Sequence, residues 1–92
     1  MNLSNHAKTQ AQRRGIEPSY VKYVVEYGHR IYDGKGAIRC FFTKKSRKRL
    51  EQTLPQKDFA KINDKKLKCF AVMAEDSNLI ITVGHQIKKI NK

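Results

Sequence analysis

The sequence predicts an α+β domain in which two N-terminal helices pack on a four-stranded, mostly antiparallel sheet. Three observations carry this expectation. Apolar residues recur at helical spacing as far as Gly28. The spacing changes to two-residue alternation around the turn Asp33-Gly34-Lys35-Gly36. Two further strand-like runs, 68–74 and 79–83, follow a basic connector.

A chain of 92 residues is expected to form one domain over 1–92. A domain of that size hides only about two-thirds of the surface its unfolded chain exposes. Hydrophobic residues make up 39% of the chain, enough for one core.

The first helix is expected over 3–14. Ser4 can cap it by accepting from a free backbone amide, and Leu3, Ala7 and Ala11 form a narrow apolar stripe. Gly15 suits the left-handed residue that ends a helix. Pro18 opens a second helix at the position where no amide is needed. There Val21, Val24, Val25 and Gly28 share a face, widened by Tyr20, Tyr23 and Tyr27. The short link through Gly15 makes the two helices a hairpin.

Strands are expected at 29–33 and 37–43, joined by glycines that accept positive φ. In the second, Ile38, Cys40 and Phe42 share one face and Arg39, Phe41 and Thr43 the other. Residues 45–54 read as a short helix or ordered loop, and 56–66 as a polar loop with at most one helical turn. In the run 68–74, Cys69, Ala71 and Met73 alternate with Phe70 and Val72. After the turn Glu75-Asp76-Ser77-Asn78, the β-branched run 79–83 reads as a central, well-covered strand that Gly84 breaks. A basic tail, 86–92, completes the domain.

Charge is the strongest functional signal. Twenty Lys and Arg against eight Asp and Glu give +12, with an isoelectric point near 10.0. Such an excess repels itself in the compact state and attracts polyanions at long range, so RNA is the expected partner. No apolar run approaches the ~20 residues of a membrane-spanning helix, and no membrane partner is expected. The first residues lack the apolar centre of a secretory signal. Cys40 and Cys69 sit in apolar segments as two buried thiols or one bridge; a cytoplasmic location is expected.

Ser4-Asn5-His6-Ala7, then Arg14-Gly15-Ile16, with Gly28, Arg39 and Ile80-Ile81-Thr82-Val83, resembles a small bacterial domain-of-unknown-function family. That family opens on Ser-x-His-Ala, reaches Arg-Gly-Ile eight residues after the His, and closes on Ile-x-Thr-Val. The resemblance spans residues 3–83. The family is in turn similar to RelE-like and barnase-like ribonuclease toxins. The resemblance therefore implies a RelE/barnase-like fold, metal-independent RNA cleavage and an acidic antitoxin protein as partner. One departure stands out. The family often has Arg four residues after the His, where this chain has Gln10. Arg13, nearly in line with His6 on the helix, is a candidate replacement.

Metal-free cleavage of RNA needs a base for the 2′-hydroxyl, an acid for the leaving 5′-oxygen, and cations on the phosphate. Histidine suits both proton roles near neutral pH, and Arg holds phosphate by its bidentate fork. His6, Arg14 and His85 are the candidate catalytic residues. His6 stands off the apolar stripe with Gln10 and Arg13 on its side; it is otherwise a capping or surface histidine. His85 lies at a strand end or in a loop. Arg14 either holds phosphate or caps the helix through its last carbonyls. His29, beside a helix C-terminus, reads as structural.

Candidate nucleic-acid contacts are Gln10, Arg13, Arg39, Thr82 and the cations of Lys44-Lys45-Ser46-Arg47-Lys48-Arg49, which puts five cations in six residues. Such a run is either a solvated face or a phosphate-binding rim. An exposed Phe41 or a Tyr could stack a base. No CxxC, paired-His or clustered-acid pattern is present, so no metal and no cofactor are expected. Three functions stay open: a toxin-type ribonuclease, a non-catalytic RNA- or DNA-binding module, and a basic domain that docks an acidic protein.

Overall fold

A computed structural model of the protein describes residues 2–86. In chain order its elements are β1 (Asn2–Leu3), α1 (Asn5–Arg13), α2 (Pro18–Tyr27), β2 (His29–Tyr32), β3 (Ala37–Phe41), α3 (Lys44–Thr53), α4 (Gln56–Phe59), a 3₁₀ turn (Asp64–Leu67), β4 (Cys69–Ala74) and β5 (Leu79–His85). The strand order is β1-β5-β4-β3-β2. Only the β1–β5 pairing is parallel. The expected α+β class holds, but with five strands rather than four and two α-helices beyond the N-terminal pair. Apart from Gln86, the basic tail lies outside the described residues.

Each difference has a local cause. Leu3 does not begin the first helix. Ser4 is extended (φ −64°, ψ 162°), its Oγ accepts from the Ala7 amide at 3.0 Å, and its own amide donates to the Ile80 carbonyl at 2.8 Å. The helix therefore starts at Asn5, and Asn2 and Leu3 fall into register beside Leu79 and Ile80. Residues 44–53 are fully helical because Thr43 and Ser46 form a reciprocal capping box. The 56–66 connector holds α4 and the start of the 3₁₀ turn, the latter capped by the Asn63 side chain.

The first helix ends as its sequence suggests. Gly15 takes φ +64°, the Gly15 amide donates to Gln12, and the Ile16 amide reaches back to Ala11 at 2.8 Å. This is the paired bonding of a Schellman cap, with Ile16 buried beyond it. The glycines of the β2–β3 turn also have positive φ. There Asp33 accepts from the amides of Lys35 and Ala37 at 2.6 and 3.0 Å. Those bonds favour the charged form and lower the Asp33 pKa.

α1 lies on β5, and α2 on β4 and β3. Ala7 and Ala11, both buried, let α1 approach its strand closely. The core between helices and sheet gathers Val21, Val24, Ile38, Cys40, Leu50, Leu67, Cys69, Ala71, Met73, Ile80 and Val83. Ile80 and Val83 both face the helices despite odd spacing, because the β4–β5 register shifts by one residue at Val72/Met73. Cys40 and Cys69 are buried free thiols. Burial raises the Cys40 thiol, opposed by the charge of Arg30, and pushes the Cys69 thiol up to about 11, so neither is a ready nucleophile.

Two expectations for β5 are corrected. Gly84 does not break the strand; it pairs with Phe70, and His85 pairs with Cys69. Nor is β5 central. β4 holds the middle of the sheet, and β5 has only the two residues of β1 outside it.

Candidate functional site

The register places two rows of side chains on the sheet face opposite the helices. One row is His29, Phe41, Phe70 and Gly84; the next is Ile31, Arg39, Val72 and Thr82. The first row runs along the end of the sheet where β3 and β5 finish and β4 begins. The Arg39 guanidinium lies 4.8 Å from the centre of the Phe70 ring. That ring leans over Gly84, and a Cβ there would stand 2.7 Å from it. The same position is 3.1 Å from a terminal nitrogen of Arg14. Arg14, Arg39, Phe70 and Gly84 thus form one cluster. His29 meets Phe41 edge-on at 5.6 Å beside it.

Arg14 comes from the C-terminus of α1 and reaches the edge of β5, where it donates to the Val83 carbonyl at 2.7 Å. The Arg14 carbonyl in turn accepts from His85 Nε2 at 2.7 Å. A carbonyl oxygen only accepts, so Nε2 carries the proton. In the neutral ring Nδ1 is then the nitrogen with a free lone pair. His85 thus meets Arg14 through the backbone, at the end of a strand, and leaves Nδ1 as an acceptor.

The structure separates the three histidines. His6 is exposed in the first turn of α1, eight residues before Arg14, or about 12 Å along the axis. His29 stands three strands from Gly84, or about 14 Å across the sheet. Arg13 is exposed on α1, and Thr82 is half-buried in the second row. The cations Lys44, Lys45, Arg47, Lys48 and Arg49 lie on α3, and all five are exposed. α3 begins three residues beyond Phe41, at the sheet end that holds the cluster. Arg47 is ion-paired with Asp64. Phe41 is not an exposed stacking surface, since only 1% of it is accessible.

Gln10 has a definite partner: its Oε1 accepts from the Val83 amide at 3.0 Å. Gln10 and Arg14 together satisfy both backbone groups that Val83 turns toward the outside of the sheet. Sequence reasoning misses this role. It also misses Phe70, though the alternation of Cys69, Ala71 and Met73 already places Phe70 on the opposite face. What it lacks is the β3–β4 register that brings Arg39 alongside.

The family model described as domain of unknown function, DUF4258, matches residues 3–85. The chain belongs to the DUF4258 family. The match begins with β1 and ends at His85, so the whole sheet, from Leu3 onward, and all the helices fall within the DUF4258 region. No curated protein and no solved structure matches the chain. Among the described residues of this DUF4258 domain, no group of three or more His, Cys, Asp or Glu is placed to hold a metal ion. No helix there is long and apolar enough to cross a membrane.

Proposed function

We propose that this DUF4258 domain binds single-stranded RNA across the sheet end that carries Arg14, Arg39, Phe70 and His85, with the α3 cations as a second phosphate-holding rim. The observation that carries the proposal is the cluster itself: the Arg39 guanidinium lies over the half-buried Phe70 ring, and a terminal nitrogen of Arg14 reaches Gly84 beneath that ring. Arginine planes and aromatic rings stack bases, and guanidiniums hold phosphates. The net charge of +12 supplies long-range attraction. A helix whose first six residues hold five cations sets those charges against its own dipole. A polyanion lying there offsets that cost.

Metal-independent RNA cleavage is the second reading, and the Arg14–His85 contact favours it. His85 Nδ1 would take the 2′-hydroxyl proton while Arg14 and Arg39 balance charge on the phosphate. His85 replaces His6 as the leading proton group, because His6 is about two helical turns from Arg14. The resemblance to RelE-like and barnase-like toxins belongs to this reading, as do a cytoplasmic setting and an acidic antitoxin.

The test is incubation of labelled single-stranded RNA with the protein in chelator, beside Arg39→Ala, Phe70→Ala and His85→Ala. Salt-sensitive retention of intact RNA, weakened about tenfold or more by Arg39→Ala and Phe70→Ala, supports binding without cleavage. Cyclic-phosphate ends that vanish in His85→Ala, with retention preserved, support the ribonuclease. No retention and no cleavage at low salt would overturn both.

A further inference from the structure

The two edges of the sheet are treated differently. At the β5 edge, the Ser4 amide takes the Ile80 carbonyl, while Gln10 and Arg14 take the amide and carbonyl of Val83. At the opposite edge, β2 has no such cover among the described residues. The Asp33 amide donates to the Ala37 carbonyl at 3.1 Å, which sets the parity of the β2–β3 ladder. His29 and Ile31 therefore bond to β3, and Arg30 and Tyr32 turn their backbone N–H and C=O groups outward. All four residues of β2 are exposed. Ile31 (43%) and Tyr32 (59%) are the exposed large hydrophobic residues among those described, and they point to opposite faces.

We infer that β2 is a docking edge for an extended acidic segment of a partner protein, which adds to the sheet as a sixth strand antiparallel to β2. Backbone pairing at Arg30 and Tyr32 would supply the attachment, and side chains opposite each β2 residue the selectivity. Charge decides the occupant. A second copy would bring another +12 to the edge and set Arg30 and His29 near their own kind. The carboxylate of β2's own turn, Asp33, is already engaged by two backbone amides. An acidic strand meets neither obstacle. Its order follows from the register: running antiparallel, it places apolar residues against Tyr32 and then Ile31, and acidic residues against Arg30 and then His29.

The probe is a labelled eight-residue peptide with Val-Ile-Glu-Asp at its centre, compared with the same residues in reverse order and with a form N-methylated on alternate amides. Binding to the native protein is read by anisotropy, and the edge by amide hydrogen exchange at Arg30 and Tyr32. The expected result is binding about tenfold tighter for the forward peptide than for either control, with exchange at Arg30 and Tyr32 slowed about tenfold or more. Tyr32→Pro, which removes an outward amide the β2–β3 ladder does not use, should abolish binding while leaving the urea midpoint nearly unchanged. Equal binding of the three peptides, or binding without protection at Arg30 and Tyr32, would overturn the inference. The N-methylated peptide keeps the test decisive if Tyr32→Pro does not fold.

Discussion

Gln10 shows how one side chain carries a backbone role. The Val83 amide points away from β4, at a place where β1 has already ended, and only an acceptor can satisfy it. Arginine has donors and no acceptor, so it cannot replace Gln10 in this contact. Gln10→Ala and Gln10→Arg should each lower stability by about 1 kcal/mol, whereas Gln10→Glu keeps the oxygen and most of the stability. Urea unfolding of the three variants checks this; an unchanged midpoint in Gln10→Ala would remove the role. The contact is not legible in the sequence, because its partners lie 73 residues apart. The Ser4 cap is legible, since its partner is three residues away.

The elements divide in the same way. α1 and α2 follow from caps, a glycine and apolar spacing within a few residues, and their observed bounds lie close to those expected. The β2–β3 hairpin follows from its turn glycines. β1 is too short to show a pattern and exists only because β5 receives it. The sequence of α3 is ambiguous between helix and loop because its polar face dominates and only Ser46 and Leu50 are buried. Its capping box makes it a helix, yet its charges oppose that helix: Lys44 and Lys45 occupy a first turn with no acid. Lys44→Glu with Lys45→Glu should therefore raise stability by about 0.3–1 kcal/mol for each residue, through the helix dipole and reduced self-repulsion. The same double variant should weaken RNA retention. Thermal melting and filter binding on one preparation test both halves. A double variant that melts lower would overturn the dipole and repulsion argument, and one that binds RNA as well as the native protein would remove α3 from the proposed interface.

At the scale of the molecule, composition points to a polyanion, but the place where it would bind needs the strand order. Arg14, Arg39, Phe70 and His85 are scattered from one end of the chain to the other, and only the register of β3, β4 and β5 brings them to one sheet end. The separation of His6 from His85 likewise follows from the direction of α1 along β5. The net charge has a further consequence. Among the described residues, two ion pairs, Arg47–Asp64 and Lys66–Glu17, neutralise part of the excess, and both are exposed. Exposed pairs contribute little, so repulsion among the remaining cations should dominate the salt response of the fold. Raising salt from about 50 to about 500 mM screens that repulsion and should raise the melting temperature. The same change should weaken RNA binding, with a log–log slope of about −0.7 for each phosphate neutralised. Reversing Lys44, Lys45, Arg47 and Lys48 together should flatten that slope by about 0.7 for each phosphate these cations cease to neutralise, to a total of about 3. Parallel melting and binding series in the same buffers separate the two effects: stability that falls with salt would show that the ion pairs outweigh the repulsion, and a slope unmoved by the fourfold reversal would place the RNA elsewhere.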